Sequence, residues 1–108
     1  MNTIYKDNPN TIKVFTDTLD QIGSDFRAVV VKTDMQYTKT FTFTSYGETE
    51  SYTPFYCFRF TEVIEGAENL IIGLINFQEL GQWECSIQTY INNEWVTVHK
   101  SLLKITEA

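Results

Sequence analysis

The chain has 108 residues, 15% of them aromatic, and a formal charge of −6. That length suits one domain with one modest core. The negative charge argues against a nucleic-acid footprint, because phosphate binding needs a basic patch, and the eight Lys and Arg are too scattered to hold anionic lipid.

No apolar run approaches the ~18 residues needed to span a bilayer. The opening MNTIYKDNPNT has no apolar stretch, so a chain without a cleaved leader, made in a reducing cytoplasm, is expected. Residues 1 to 10 are polar and include Pro9, so they read as an N-terminal arm, leaving a single domain over residues 11 to 108.

After the arm the dominant period is two, the mark of strands with one buried face. Thr11 to Thr16 (TIKVFT) is the first predicted strand. The connection DTLDQIGSD, residues 17 to 25, has room for one helical turn, which Asp17 would cap. Phe26 to Lys32 (FRAVVVK) is the second strand, its valines suited to β structure. Thr38 to Thr44 alternates Phe41 and Phe43 with threonines. Tyr46 to Thr53 (YGETESYT) reads as a polar loop. Phe55 to Val63 follows Pro54, which favours a strand start or an edge.

Residues 65 to 69 turn the chain. Leu70 to Phe77 (LIIGLINF) is apolar on both faces and is expected to be a central strand. Gln82 to Tyr90 and Trp95 to His99 form a hairpin around Asn92-Asn93, with Trp83, Cys85 and Ile87 facing inward. Leu102 to Thr106 continues the last strand after a bulge. Seven or eight short strands at this spacing predict an all-β antiparallel sandwich or a small barrel.

Residues with reactive potential are few. The sequence has two cysteines and one histidine. Cys85 lies on an inward face and Cys57 on the opposite parity to Tyr56, Phe58 and Phe60. Two free thiols are therefore expected, Cys57 at the surface, because a disulfide needs converging Cβ vectors. With only three Cys and His, a structural zinc site with four such ligands is excluded. Asp17, Asp20 and Asp25 are too widely spaced for a calcium loop. Glu62, Glu65 and Glu68 read as solvated residues flanking a turn. There is no P-loop, nucleophile elbow or dinucleotide fingerprint. The expectation is a protein without catalysis, metal or cofactor.

Protein contact is the better use of this composition, since Tyr, Trp and Phe are enriched where proteins meet. The candidate contact residues are Ile4 and Tyr5 in the arm, Tyr46, Tyr52 and Tyr90 at strand ends, and Trp95 on the outer face. Tyr52, Tyr90 and Trp95 also suit a second reading, a small carbohydrate-binding module.

Leu80-Gly81-Gln82-Trp83-Glu84-Cys85 resembles the L-x-x-G-x-Y-x-C region of immunoglobulin-like domains. Trp83 stands where tyrosine is usual, FRAVVVK carries no partner cysteine, and the middle strands lack a central tryptophan. The likeness is to the fold rather than to antibody domains. The chain's layout also resembles the small acidic β-sandwich accessory proteins of tailed phages, crAss-like phages among them. Shared features are a polar start, Thr- and aromatic-rich strands, a G-x-W/Y-x-C/Y-x-I strand, an Asn-rich hairpin and a last strand ending in an apolar run.

This resemblance implies an immunoglobulin-like sandwich and a non-enzymatic role as an auxiliary (decoration) capsid protein. Its partners would be the major capsid protein or other virion proteins, with many copies per particle and neither nucleic acid nor membrane bound. The implied location is the virion, after synthesis in the host cytoplasm. A tail or neck accessory role is the alternative within the same class.

Overall fold

Alternation of buried with more exposed residues runs through much of this chain and matches its strands, most regularly over residues 9–15, 26–32 and 81–90. The structure, a computed structural model, describes residues 2–15, 19, 23, 25–32, 34, 37–48 and 55–107. Among these the strands are β1 (Asn2–Tyr5), β2 (Pro9–Phe15), β3 (Phe26–Lys32), β4 (Tyr37–Thr42), β5 (Ser45–Glu48), β6 (Phe55–Glu62), β7 (Leu74–Ile75), β8 (Gly81–Ile91) and β9 (Glu94–Thr106). A first sheet runs β1-β9-β8-β3-β4 and a second runs β2-β6-β5, with β7 added parallel to β6.

The two sheets pack through their alternating inner faces. From the first come Ile4, Phe26, Ala28, Val30, Trp83, Cys85, Ile87, Leu103 and Ile105; from the second come Ile12, Val14, Phe58, Phe60 and Ile75. Aromatic rings run through the interface in edge and tilted contacts: Phe26 to Phe58 at 5.1 Å, Phe41 to Phe60 at 5.3 Å and Phe77 to Trp83 at 5.2 Å. Such geometries put ring edges against ring faces, which the quadrupoles favour.

The hairpin follows from its turn. Ile91 pairs with Glu94, so Asn92-Asn93 is a two-residue loop, and both asparagines have positive φ, 54° and 65°. That is the mirror-image turn whose twist matches the flanking strands, and Asn tolerates its conformation. Ile87 pairs with His99 but Gln88 pairs with Thr97, so Val98 is the extra residue of a bulge in β9. The bulge therefore lies before Lys100, and His99 sits mid-strand rather than at a strand end.

Several expectations are corrected. From Asn2 on, the opening is not a free arm, because β1 pairs in parallel with β9 from Asn2↔Leu103 to Tyr5↔Thr106. The side chain of Asn10 replaces a neighbouring strand on the open edge of β1. Its Oδ1 accepts from the Tyr5 N–H at 3.1 Å and its Nδ2 donates to the Tyr5 carbonyl at 3.2 Å.

LIIGLINF is not a central strand. Leu70–Ile72 is a 3-10 turn, Gly73 takes a left-handed φ of 78°, and only Leu74–Ile75 pairs, beside β6. A side chain on Gly73 would collide with Thr44. YGETESYT is not wholly loop, since its start belongs to β5. The helical turn proposed near Asp17, and Tyr52, lie outside the described residues.

Cys57 is buried rather than at the surface, although both cysteines are free as expected. It lies on the outer face of the second sheet, between Lys13 of β2 and Gly47 of β5. Strand parity gives the face; flanking side chains decide exposure.

Glu62 is fully buried, not a solvated turn residue. Its Oε2 accepts from Lys6 Nζ at 3.1 Å and from the Phe77 N–H at 2.7 Å, while its Oε1 accepts from the Asp7 N–H at 3.1 Å. Lys6 Nζ also donates to the Phe77 carbonyl at 2.8 Å. Glu68 and Lys39 repeat this on the preceding residue. Glu68 Oε2 accepts from the Asn76 N–H at 2.8 Å and from Lys39 Nζ at 2.6 Å, and Lys39 donates to the Asn76 carbonyl at 2.9 Å. The backbone N–H and C=O of two adjacent residues, Asn76 and Phe77, thus receive from side chains the bonds that a strand would supply, as buried backbone requires.

Candidate functional site

Register fixes what the outer face of the first sheet presents. Since Trp83, Cys85 and Ile87 point inward, Gln82, Glu84, Ser86, Gln88 and Tyr90 of β8 point out. Their β9 partners are Lys104, Leu102, Lys100, Thr97 and Trp95. β3 adds Arg27, Val29 and Val31, and β4 adds Thr42, Thr40 and Thr38. At the far edge β1 adds Thr3 and Tyr5. An open depression of about 280 Å³ lies between β8 and β9, lined by Glu84, Cys85, Ser86, Lys100, Ser101 and Leu102.

Near the hairpin turn the face carries a connected group of side chains. Tyr90 and Trp95 are direct cross-strand partners with ring centroids 5.2 Å apart. The Arg27 guanidinium lies over the Trp95 ring, 4.3 Å from its centroid. Arg27 Nε donates to Gln88 Oε1 at 2.8 Å, and Gln88 Nε2 donates to Thr97 Oγ1 at 3.3 Å. The Tyr90–Trp95, Arg27–Gln88 and Gln88–Thr97 links join residues opposed across a ladder, where side chains meet most closely, whereas Arg27 reaches Trp95 across β8.

Behind the group, Gly23 is drawn against the end of β8, where its N–H donates to Thr89 Oγ1 at 2.8 Å. A Cβ there would strike the Tyr90 carbonyl and Thr89, so the connection can seat closely only with glycine.

The candidate residues divide. Tyr90 and Trp95 come together, Tyr90 with 38% of its surface exposed and Trp95 half-buried. Tyr5 shares their face and is 47% exposed, but it pairs with Thr106 at the opposite end of β9. Ile4 is fully buried beside Ile105 and cannot meet a partner, which corrects its assignment as a contact residue.

Tyr46 is half-buried against Phe26 and Tyr56, and its hydroxyl donates to Asp25 Oδ1 at 3.3 Å. Burial, and secondarily the Asp25 carboxylate, push its phenol above the usual value. Arg27, Gln88 and Thr97 escaped the sequence reading. Their signal was available in the hairpin register, which places Gln88 and Thr97 on the parity of Tyr90 and Trp95.

Reactive groups lie elsewhere. Burial pushes the Cys85 thiol up to about 12, far from a thiolate at neutral pH. His99 is half-buried on the inner parity opposite Ile87, and desolvation lowers its pKa. Among the described residues no group of three or more His, Cys, Asp or Glu could hold a metal ion, and no helix is long and apolar enough to cross a membrane. At the opposite end from the hairpin turn, Ile64, Ile71 and Ile72 are exposed on short turns, with the Asn69 side chain accepting from the Ile71 N–H at 3.2 Å.

Compared with known protein families, characterised proteins and solved structures, the chain matches none.

Proposed function

We propose that this protein is a non-enzymatic binding domain that meets its partner through the outer face of the β1-β9-β8-β3-β4 sheet. The observation that carries this reading is the Tyr90–Trp95 pair, left on the outer face beneath an Arg27 that Gln88 fixes. Tyr, Trp and Arg are the residues that most often dominate binding energies. Holding them in place before binding lowers the ordering cost. A buried, protonated Cys85 and a half-buried His99 on the inner parity support a role without catalysis.

The proposed role is that of an auxiliary capsid protein of a tailed phage, carried in many copies on the virion by the major capsid protein or another virion protein. Its support is the resemblance in length and strand layout. The arrangement we infer is immunoglobulin-like. β2-β6-β5 follows the B-E-D order of that fold, and β3-β8-β9 follows C-F-G, with β4 beside β3 in the added position of variable-type domains. Trp83 supports the same reading. Trp83 stands two residues before Cys85, and its indole N–H donates to the Glu79 carbonyl four residues upstream at 3.0 Å. That is the bond a tyrosine corner makes with its hydroxyl.

The second reading, carbohydrate binding, draws on the aromatic pair beside the Gln88 amide. Against it, Arg27 already lies over the Trp95 ring that a sugar would stack on.

The test is a co-sedimentation assay with phage particles lacking this protein. Wild-type protein should load, and a Tyr90→Ala/Trp95→Ala variant that stays folded should not. Equal loading would remove the face from the reading. Binding on a glycan array without binding to particles would replace the virion role.

A further inference from the structure

The chain carries −6 overall, yet its carboxylates are sparse on the outer face of the first sheet. On that face the strand registers place Arg27, Lys100 and Lys104 against a single acid, Glu84. Among the described residues the ion pairs are Lys6–Glu62, Lys32–Asp34 and Lys39–Glu68, and Arg27 belongs to none of them.

Arg27 is nevertheless fixed. Its Nε donates to Gln88, its plane rests on Trp95, and Gln88 is itself held by Thr97. Guanidinium has five N–H donors. With one committed to Gln88, the two terminal nitrogens keep four, in the planar fork that matches a carboxylate.

We propose that Arg27 is the specificity-determining residue of this face and takes a carboxylate from the partner: an Asp or Glu flanked by an apolar side chain that lies on the exposed Tyr90 beside Trp95. The proposal rests on the reading of this face as the binding surface and names its chemistry. A carboxylate is favoured over a phosphate backbone because a polyanion would meet the whole charge of −6, whereas one acidic side chain meets only this locally basic face. Gln88 is the positioning residue, since losing its Oε1 frees the guanidinium to rotate.

The test is an NMR titration that follows the Arg27 Nε–H and Trp95 indole N–H resonances. The probes are the capped peptides Phe-Glu-Phe and Phe-Gln-Phe, inorganic phosphate, and maltotriose. The acidic peptide should give saturable shifts with a Kd of about 1 mM, and the Gln peptide should bind about tenfold more weakly. Arg27→Lys, which keeps the charge but not the fork, should lose that preference while keeping the amide dispersion of a folded domain. Gln88→Met should reduce it in part.

Equal binding of the two peptides, equal response to phosphate, a response to maltotriose alone, or no shift at all would each overturn the proposal. The particle assay separates the two claims. If Arg27→Lys loads normally while Trp95→Ala does not, the carboxylate fork falls and the binding face stands. If neither variant changes loading, the face itself falls.

Discussion

Trp83 and Trp95 belong to one hairpin but occupy opposite faces of its sheet. Trp83 is fully buried, meets Phe77 edge to face at 5.2 Å, and satisfies its indole N–H within the chain, on the Glu79 carbonyl. Trp95 stays half-buried outside, between Tyr90 and the Arg27 guanidinium. The cations divide in the same way. Lys6 and Lys39 each pair with a carboxylate and also brace a backbone carbonyl, whereas Arg27 is held by an amide and a ring and has no ion pair among the described residues. Groups satisfied internally hold the fold. Groups that are fixed but not neutralised are the ones a partner can complete.

The largest expected effect lies on the inner side of this contrast. Trp83→Ala should cost about 3–5 kcal/mol, the usual range for truncating a buried Trp. That is a large share of the stability of a domain this size. Urea denaturation would measure it, and an unchanged midpoint would place Trp83 outside the core. Glu62→Gln comes next. It keeps an acceptor for the Phe77 N–H but removes the charge facing Lys6, at a cost of about 1.5–3 kcal/mol. A variant as stable as wild type would show that the Lys6–Glu62 clasp holds nothing together.

The core was more legible in the sequence than the clasps. FRAVVVK was expected as a strand over residues 26–32 and is β3, and the inward set Trp83, Cys85 and Ile87 follows from alternation alone. The Asn92-Asn93 turn was readable because positive φ demands such residues. LIIGLINF misled because its apolar content serves two purposes. Ile75 and Phe77 fill the core, while Ile71 and Ile72 are exposed on a turn that Gly73 ends. The roles of Ile4, Glu62 and Cys57 depend on partners distant in sequence: Ile105, the Phe77 peptide, and the Lys13 and Gly47 neighbours. The period of one strand carries no information about these. The site was half visible: Tyr90 and Trp95 were named, but Arg27 enters only through the β3–β8 pairing.

Trp95→Ala sharpens the contrast from the outer side. It removes the cross-strand ring pair, worth about 0.2–1 kcal/mol, and the cation–π contact, worth about 0.5–1 kcal/mol. The domain should therefore stay folded with a modestly lower midpoint, a smaller loss than that of Trp83→Ala. A loss as large as that of Trp83→Ala would mean that the outer face is structural, and the reading of it as a binding surface would lose its basis.

The smallest expected effect concerns His99, which sits at the bulge where the two faces of β9 change register. Desolvation holds its pKa below the ordinary value of 6.5, so the folded state resists protonation while the unfolded chain accepts it. Between the two pKa values the unfolded state binds more protons, and stability therefore rises with pH. The contribution is complete above the unfolded value and is lost as the pH falls from there through the folded value. A comparison between about pH 7.5 and about pH 5.5 brackets the ordinary histidine value. Wild-type protein should have the lower urea midpoint at the lower pH, and His99→Gln should flatten the difference. A midpoint that rose on acidification would mean that His99 gains a partner for its charge, and the bulge would have to open toward solvent or toward an acid. If the slope persisted in the variant, its source would be another group, and β9 would tolerate a charged imidazole at the bulge.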